Sequence, residues 1–416
     1  MSAAPLAGPV RAGTGRGTGR GTGLGTAAVT GIDIVSPLGL SREEHWQAVL
    51  DGVSGLAPTA RFDSARLENP VSGEAGDLPL DRLPPRLLPA TDRMTQMSLL
   101  AAEGAIADSG LEAAGLDRDG VGVVTAASAG GYAFGQKELQ NLWAQGPEYV
   151  STHQSYAWFY AVNTGQISIR HKFKGHSGVL VADDAGGLDA LAASARRLQR
   201  GNHTVLSGAV DSTMCPWGRV AHVSTGLTSP VADPQLAYLP FDRRARGWVQ
   251  AEGGAHLVLT STPAPGAYGR LLGHGATIDG PGEDSTVGLV RAVRTALQQA
   301  GLQPRDVDAV FADAAGARRR DLSEANALTQ VFGAHSVPVT APKAATGRMG
   351  SGTAPLDVAM ALLSIRDQVL PPTINVEPDP ALGIDLCRAA RRTAVRNVLV
   401  LARGIGGFNS ALIVGA

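Results

Sequence analysis

One segment limits the possible folds more than any other. Gly178-Val-Leu-Val-Ala182 is a short apolar run that passes through Asp183-Asp184-Ala185-Gly186-Gly187 into a helical apolar pattern over 185–199. That order predicts a buried strand at 178–182, a tight turn of small residues, and a helix folded back onto a sheet, the building unit of layered α/β proteins. A residue at such a turn sits at a helix N-terminus, where partial positive charge favours an anion. The same geometry presents nucleophiles in many enzymes. Here the turn offers Asp183 and Asp184. Two readings stand: an aspartate capping the helix, worth about 1 kcal/mol, or a carboxylate held for chemistry.

Strands and helices alternate along the rest of the chain. Strands are expected at 28–35, 120–126, 205–208 and 256–260, with helices opening at Ser41 and spanning 95–109. Ser41 and Glu44 have capping-box spacing. A second half begins near Gly269, with helices at 286–300, 323–332 and 354–368 and strands at 307–312, 337–340, 397–401 and 410–414. The chain therefore divides into βα-rich halves of 27–265 and 266–416, an α/β arrangement of parallel or mixed sheets covered by helices. Element order alone suggests a duplication, because no fixed-period repeat is visible. Residues 1–26 are rich in Gly, Thr and Arg, carry an RGTG repeat and no acid, and are expected to form a disordered tail. They lack the apolar centre of a secretory signal.

Charge and cysteine content exclude several functions. Lys+Arg 36 against Asp+Glu 37 leaves a net charge of −1, so neither nucleic acid nor an anionic membrane is generally attracted. No stretch reaches the roughly 18 unbroken apolar residues of a membrane span. The two cysteines, Cys215 and Cys387, argue against a disulfide framework and against a thiolate zinc site, and fit a reducing cytoplasm. Nine histidines show no HExxH or paired ligand spacing, so neither metal nor cofactor is expected. Cys215, in Ser212-Thr-Met-Cys-Pro-Trp217, has no base or helix N-terminus evident beside it and reads as a small buried hydrophobe. Val310-Phe-Ala-Asp-Ala-Ala-Gly316 and Lys343-Ala-Ala-Thr-Gly-Arg-Met-Gly-Ser-Gly352 place small residues at strand ends, where open α/β sheets bind ligands.

Taken together, Gly178–Ala190, Tyr238-Leu-Pro-Phe-Asp-Arg243, Glu252-Gly-Gly-Ala255, Ala341–Leu356 and Gly406-Gly-Phe-Asn-Ser-Ala411 resemble landmarks of the thiolase-fold β-ketoacyl synthases. More narrowly, Phe159–Arg170, Ala185-Gly-Gly-Leu-Asp-Ala190 and Pro355-Leu-Asp-Val358 resemble the chain length factor, or ketosynthase β, of bacterial type II aromatic polyketide synthases. The resemblance covers nearly all of 27–416. It implies a thiolase-like αβαβα fold and a heterodimer with a ketosynthase α subunit, served by an acyl carrier protein, with the polyketide intermediate in a tunnel at the interface. Where the condensing subunit has Cys and two His, this chain has Asp184, Asp313 and Arg348; Lys343 and Glu324 match retained positions. In place of the Gln that chain length factors often carry, Asp184 has no amide donor to stabilise an enolate oxygen.

Condensation needs a thiolate to carry the acyl chain and imidazoles to stabilise the enolate and oxyanion. A carboxylate at 184 would give a fragile anhydride, Asp313 would repel an enolate, and Arg348 stays protonated, unable to cycle as an acid or base but able to pair with Asp184 or Asp313. The resemblance therefore implies a subunit that does not condense. It further implies that Tyr132, Gly135 and Leu139, at i, i+3, i+7 on one helix face, set product length. The missing bulk at Gly135 and the modest Leu139 point to a decaketide or longer. Tyr156–Tyr160 would lie at the dimer interface, and Gly404–Phe408 matches a gating loop in which Ile405 replaces the gate Phe and Phe408 follows. Three alternatives stand beside this reading: an active synthase using Cys215, a hydrolase built on Asp184 and Asp313, and a pure scaffold.

Overall fold

The computed structural model describes residues 24–25, 27–64, 67–262, 266–280 and 285–416. Ten strands carry the architecture: β1 (Ala27–Val35), β2 (Val121–Ala126), β3 (Ser177–Leu180), β4 (Thr204–Asp211), β5 (Gly253–Thr260), β6 (Gly269–Ile278), β7 (Ala309–Phe311), β8 (Pro338–Thr340), β9 (Asn397–Arg403) and β10 (Phe408–Gly415). The helices used below are α1 (Arg42–Leu50), α2 (Arg93–Asp108), α3 (Tyr132–Ala144), α4 (Val162–His171), α5 (Gly186–Leu198), α6 (Pro216–Val223), α7 (Thr286–Ala300), α8 (Arg318–Phe332) and α9 (Thr353–Asp367).

Strand order repeats in the two halves. The first runs β3-β2-β4-β5-β1 and the second β8-β7-β9-β10-β6. In each, the first three strands are parallel and the last two are added antiparallel. The sheets join where Ala27–Val29 of β1 runs antiparallel to Gly269–Leu271 of β6. A short strand, Asp385–Leu386, extends the second sheet beyond β8.

Helices α5 and α9 lie between the sheets. Every residue of α9 from Thr353 to Ile365 is buried, as suits a helix apolar on most of its surface, and its one buried carboxylate, Asp357, pairs with Lys343. Leu188, Leu191, Leu356 and Leu362 pack in one core with Ile32, Val124 and Leu257 of the first sheet and Val400 and Leu412 of the second. On one outer face, Leu99, Leu100 and Ile106 of α2 cover Val121, Val123, Leu206 and Val258. On the other, α7 and α8 cover Val310, Leu399 and Ile413. The result is the αβαβα layering that the resemblance implied.

Local chemistry explains most boundaries. Helix α7 begins where Ser285 accepts from the amides of Val287 and Gly288, both at 3.1 Å, and stops at Gly301, whose φ of 70° suits a glycine C-cap. At α1, Ser41 accepts from the Glu44 amide, but the Glu44 carboxylate turns back to the Leu40 amide rather than to Ser41, so the capping box is incomplete.

Other expectations need correction. The run 178–182 is not a buried interior strand: β3 stops at Leu180, pairs only with β2 at the sheet edge, and is followed by the exposed Val181. An apolar run at an open edge reads like a buried one, because periodicity cannot distinguish them. Helix α8 starts at Arg318, five residues ahead of the expected Ser323, since the Arg318-Arg319-Arg320 run disguises its first turn. The expected 1–26 tail lies mostly outside the described residues; within it, Leu24 is buried and its amide donates to Leu272 O at 3.0 Å.

Candidate functional site

The turn after β3 places its two aspartates in different tasks, and neither caps α5. The N-cap residue is Ala185, with no side-chain hydrogen bond. Asp183 adopts a left-handed φ of 51°, which turns consecutive carboxylates apart. Asp184 points inward and accepts from Arg348 Nη2 at 3.0 Å, while Asp183 accepts from the Ile405 amide at 2.5 Å. Burial, then the neighbouring Asp184, raises the Asp183 pKa to about 6.

Arg348 is the hub. Its Nη2 also donates to Asp313 Oδ1 at 2.9 Å and to Arg403 O at 3.3 Å, and its Nη1 donates to Asp313 O at 2.9 Å. Its Cζ lies 5.2 Å from the centre of the Trp248 ring, within cation–π range. Burial works against the charge, yet Asp184 and Asp313 outweigh it and hold Arg348 protonated well above the ordinary guanidinium range. Burial likewise opposes ionisation of Asp313, but Arg348, then Lys343 and Arg320, keep that carboxyl well below its usual range. Asp184, Asp313 and Arg348, remote in sequence, thus form one buried ionic cluster.

Lys343 and Glu324 hold the backbone around it. Lys343 Nζ donates to Ala312 O and to Asp313 O (3.2 Å for the latter) and pairs with Asp357 at 2.6 Å. Glu324 accepts from the Asp313 and Ala314 amides at 2.7 and 2.8 Å. Both fix the strand end that carries Asp313 and its neighbour Ala314, whose φ is 51°.

A cavity of about 230 Å³ opens beside the cluster, lined by Tyr132, Asp183, Asp184, Trp248, Arg348 and Ile405 among others. Its wall includes His222, which the sequence reading did not single out. His222 Nε2 lies 3.0 Å from Thr213 Oγ1, and burial pushes its pKa down to about 4, so it is neutral at pH 7. The signal for it was local: Pro216 after Cys215 is a helix-start pattern, and the resulting α6 carries His222 to the cavity. Cys215 also needs correction, since it does have a helix N-terminus beside it: it is the N-cap of α6, with Sγ accepting from the Gly218 amide at 3.4 Å. Burial raises its thiol pKa, and no base among the described residues is hydrogen-bonded to it, so it is poorly suited to serve as a nucleophile.

Helix α3 continues the wall. Tyr132 stacks on Trp217 with ring centres 4.7 Å apart, and Trp217 in turn stacks on Trp158 at 6.0 Å. A Cβ at Gly135 would meet Trp217 Cζ3 at 3.4 Å and Trp158 Cβ at 3.5 Å. Leu139 lines a second, shallower apolar groove of about 520 Å³ with Gln136, Trp143 and Trp217. The three helix positions thus share one face, with Trp217 between the two spaces.

Around that face lie the exposed side chains of Trp143 (84% exposed), Trp158, Phe159 and Tyr160, a cluster of exposed aromatic residues of the kind that marks an interaction surface. Ile405 and Phe408 belong to the β9–β10 hairpin: Ile405 is half exposed at the cavity mouth, and Phe408 folds beneath, its carbonyl accepting from the Gly404 amide at 2.9 Å. No helix among the described residues is long and apolar enough to cross a membrane.

A thiolase-type double sheet with a buried polar cluster at the β3–α5 turn defines a class, and sequence profiles agree with it. The β-ketoacyl synthase N-terminal domain matches residues 26–264 and its C-terminal domain residues 268–377, so the chain belongs to the β-ketoacyl synthase family. It is 53% identical over 399 residues to the tetracenomycin polyketide synthase ketoacyl synthase beta subunit of Streptomyces glaucescens, covering 93% of this chain and 97% of that one. It is 48% identical to the actinorhodin polyketide putative beta-ketoacyl synthase 2 of Streptomyces coelicolor, with the same coverage. Within the family the chain therefore stands with the ketosynthase β subunits of type II polyketide synthases. Among solved structures, the ishigamide ketosynthase/chain length factor superposes with a TM-score of 0.86 at 23% identity, covering 94% of this chain and 98% of that one. A β-ketoacyl synthase from Burkholderia phymatum gives the same TM-score at 21% identity, covering 94% and 99%, and both confirm the fold.

Proposed function

We propose that this chain is a chain length factor, a non-condensing subunit that pairs with a ketosynthase α subunit and shapes the tunnel that sets poly-β-ketone length. One observation carries the reading: Arg348 joins Asp184 and Asp313 in a single buried ion network. The three positions that resemblance assigns to a Cys and two His are therefore occupied by two carboxylates bound to one guanidinium. None can carry a thioester or donate a neutral N–H to an enolate. An acid dyad for hydrolysis is equally disfavoured, because a shared proton needs two close carboxyls, and here a guanidinium separates them.

The exposed aromatic face of α3 and residues 158–160 suits a partner subunit, with the growing chain running along Tyr132, Gly135 and Leu139. The bare Gly135 and the modest Leu139 favour a decaketide or longer. An acyl carrier protein would serve the partner's thiol, as the structure of a type II carrier protein with its ketosynthase bound to the hexaketide illustrates for related proteins. Co-expression with a ketosynthase and carrier protein, followed by mass spectrometry of the polyketide, tests the reading. Carbon–carbon bond formation by the purified chain alone overturns it.

A further inference from the structure

The β9–β10 hairpin, Gly404-Ile405-Gly406-Gly407-Phe408, has the composition of a mobile lid. Three of its five residues are glycine, and Gly407 takes a φ of 87°. Gly407 O accepts from the Asp279 amide at 2.8 Å just past β6, and two further main-chain groups face away from the hairpin, where in a free lid they would be hydrated. Here each is captured by a side chain from a different element. The Ile405 amide donates to Asp183 Oδ2 at 2.5 Å, and Gly404 O accepts from Arg320 Nη2 at 2.8 Å.

The fit is close. A Cβ on Gly404 would lie 2.9 Å from Asp183 Cβ, so only glycine allows the hairpin to sit against that carboxylate. Arg320 is buried in the first turn of α8, and Asp183 is fixed by its left-handed turn, so both anchors are rigid. The root is held as well: the Arg403 amide donates to Asp313 Oδ1 at 2.8 Å, and its guanidinium to Asn409 Oδ1 at 2.9 Å. Held this way, the hairpin keeps the Ile405 side chain at the mouth of the cavity beside Asp184.

We propose that Asp183 and Arg320 form a clamp that keeps the 404–408 hairpin closed over this cavity, shutting it to the thioester-bearing arm of an acyl carrier. The clamp deepens the non-condensing reading and adds a second barrier, which acts on entry rather than on chemistry. Asp183 and Arg320 are positioning residues in this sense.

Hydrogen exchange of the 404–408 segment, read by mass spectrometry on the intact chain, tests the clamp. Asp183→Ala should speed exchange at the Ile405 amide and its neighbours by about tenfold, and Asp183→Ala with Arg320→Met by more. A reporter thiol, Ala129→Cys on the cavity wall, gives a second measurement: its alkylation by iodoacetamide should rise about tenfold when the clamp is removed, against the buried Cys215 and Cys387. If Arg320→Met prevents folding, Asp183→Ala alone decides. Unchanged exchange outside the Ile405 amide together with unchanged alkylation overturns the proposal. Product length does not enter either measurement, so failure of the clamp and failure of the chain-length reading are separable.

Discussion

Arg348 and Asp184 lie 164 residues apart in sequence and meet at 3.0 Å, both almost fully shielded from water. Asp313 completes the cluster, and in the proposed reading these three side chains stand where a condensing enzyme would keep a thiol and two imidazoles. A buried ion pair is not by itself evidence of added stability, because desolvation offsets much of the attraction. Removing Arg348, however, leaves two buried carboxylates without their shared cation.

Arg348→Met should therefore destabilise the chain strongly, by about 3–5 kcal/mol, as loss of one partner from a buried pair does. Adding Asp184→Asn and Asp313→Asn to Arg348→Met should recover much of that loss. Urea denaturation measures both. A mild effect of Arg348→Met alone would show that the cluster is hydrated rather than dry.

Restoring the thiol alone should not restore condensation. Asp184→Cys supplies a nucleophile, but position 313 keeps its carboxylate and position 348 its guanidinium. No imidazole then stabilises the enolate or the oxyanion. A purified Asp184→Cys variant should show no carbon–carbon bond formation when given malonylated carrier protein and an acyl starter. Turnover above the wild-type background would mean that the cluster is more adaptable than its geometry indicates.

The pH dependence of stability separates Asp183 from Asp313. The folded pKa of Asp183 is raised to about 6, chiefly by burial, against about 3.9 for a free aspartate. A raised carboxyl contributes stability that is full below about pH 4 and is lost as pH rises through about 6. Asp313 is shifted the other way by Arg348, Lys343 and Arg320, so its contribution is present above about pH 4 and lost as pH falls through its depressed folded pKa. Asp183→Asn, uncharged throughout and still able to accept from Ile405, should gain stability over the wild type between pH 4 and 7. Parallel urea midpoints for the two proteins across that range would contradict the shift.

Assembly should depend on the aromatic face. Trp143 is 84% exposed and borders the groove that Leu139 lines. Trp143→Glu places a charge on a surface suited to burial and should weaken association with a ketosynthase by about a hundredfold, the scale of an interface hot spot. The isolated chain should fold as before, because this side chain contributes little to its own core. Ultracentrifugation of the mixed subunits reads the affinity, and circular dichroism reads the fold.

Much of this organisation is legible in the sequence where local rules act alone. Helix 286–300 is expected to the residue because Ser285 and Gly301 punctuate it. Asp184, Asp313 and Arg348 are found through motif resemblance, which also lets Arg348 pair with either aspartate; that one guanidinium holds both at once is a tertiary fact that no spacing states. Helix capping, the simpler local duty for Asp183 and Asp184, is not what they do, because the distant Ile405 amide and Arg348 guanidinium take the two carboxylates. Arg320 was hidden for a similar reason: in a run of three arginines it reads as solvated, whereas the first turn of α8 directs it inward to Gly404. His222 reaches the cavity only because Pro216 starts a helix, a local signal that marks the helix and not the histidine's tertiary neighbours.

Product length should respond to bulk at Gly135 in a graded way. A methyl there meets Trp217 and Trp158 at 3.4–3.7 Å, ordinary contact, so Gly135→Ala should leave the polyketide unchanged while stabilising α3 by about 0.5–1 kcal/mol. A phenyl ring has no such room. Gly135→Phe must displace Trp217 from its stack with Tyr132 or project along the helix face toward Leu139, and either outcome narrows the space a growing chain would use. Reconstituted with a ketosynthase and carrier protein, Gly135→Phe should yield a shorter polyketide by mass spectrometry. An unchanged product from an intact Gly135→Phe heterodimer would remove this helix face from the measurement of chain length and leave the subunit as a scaffold.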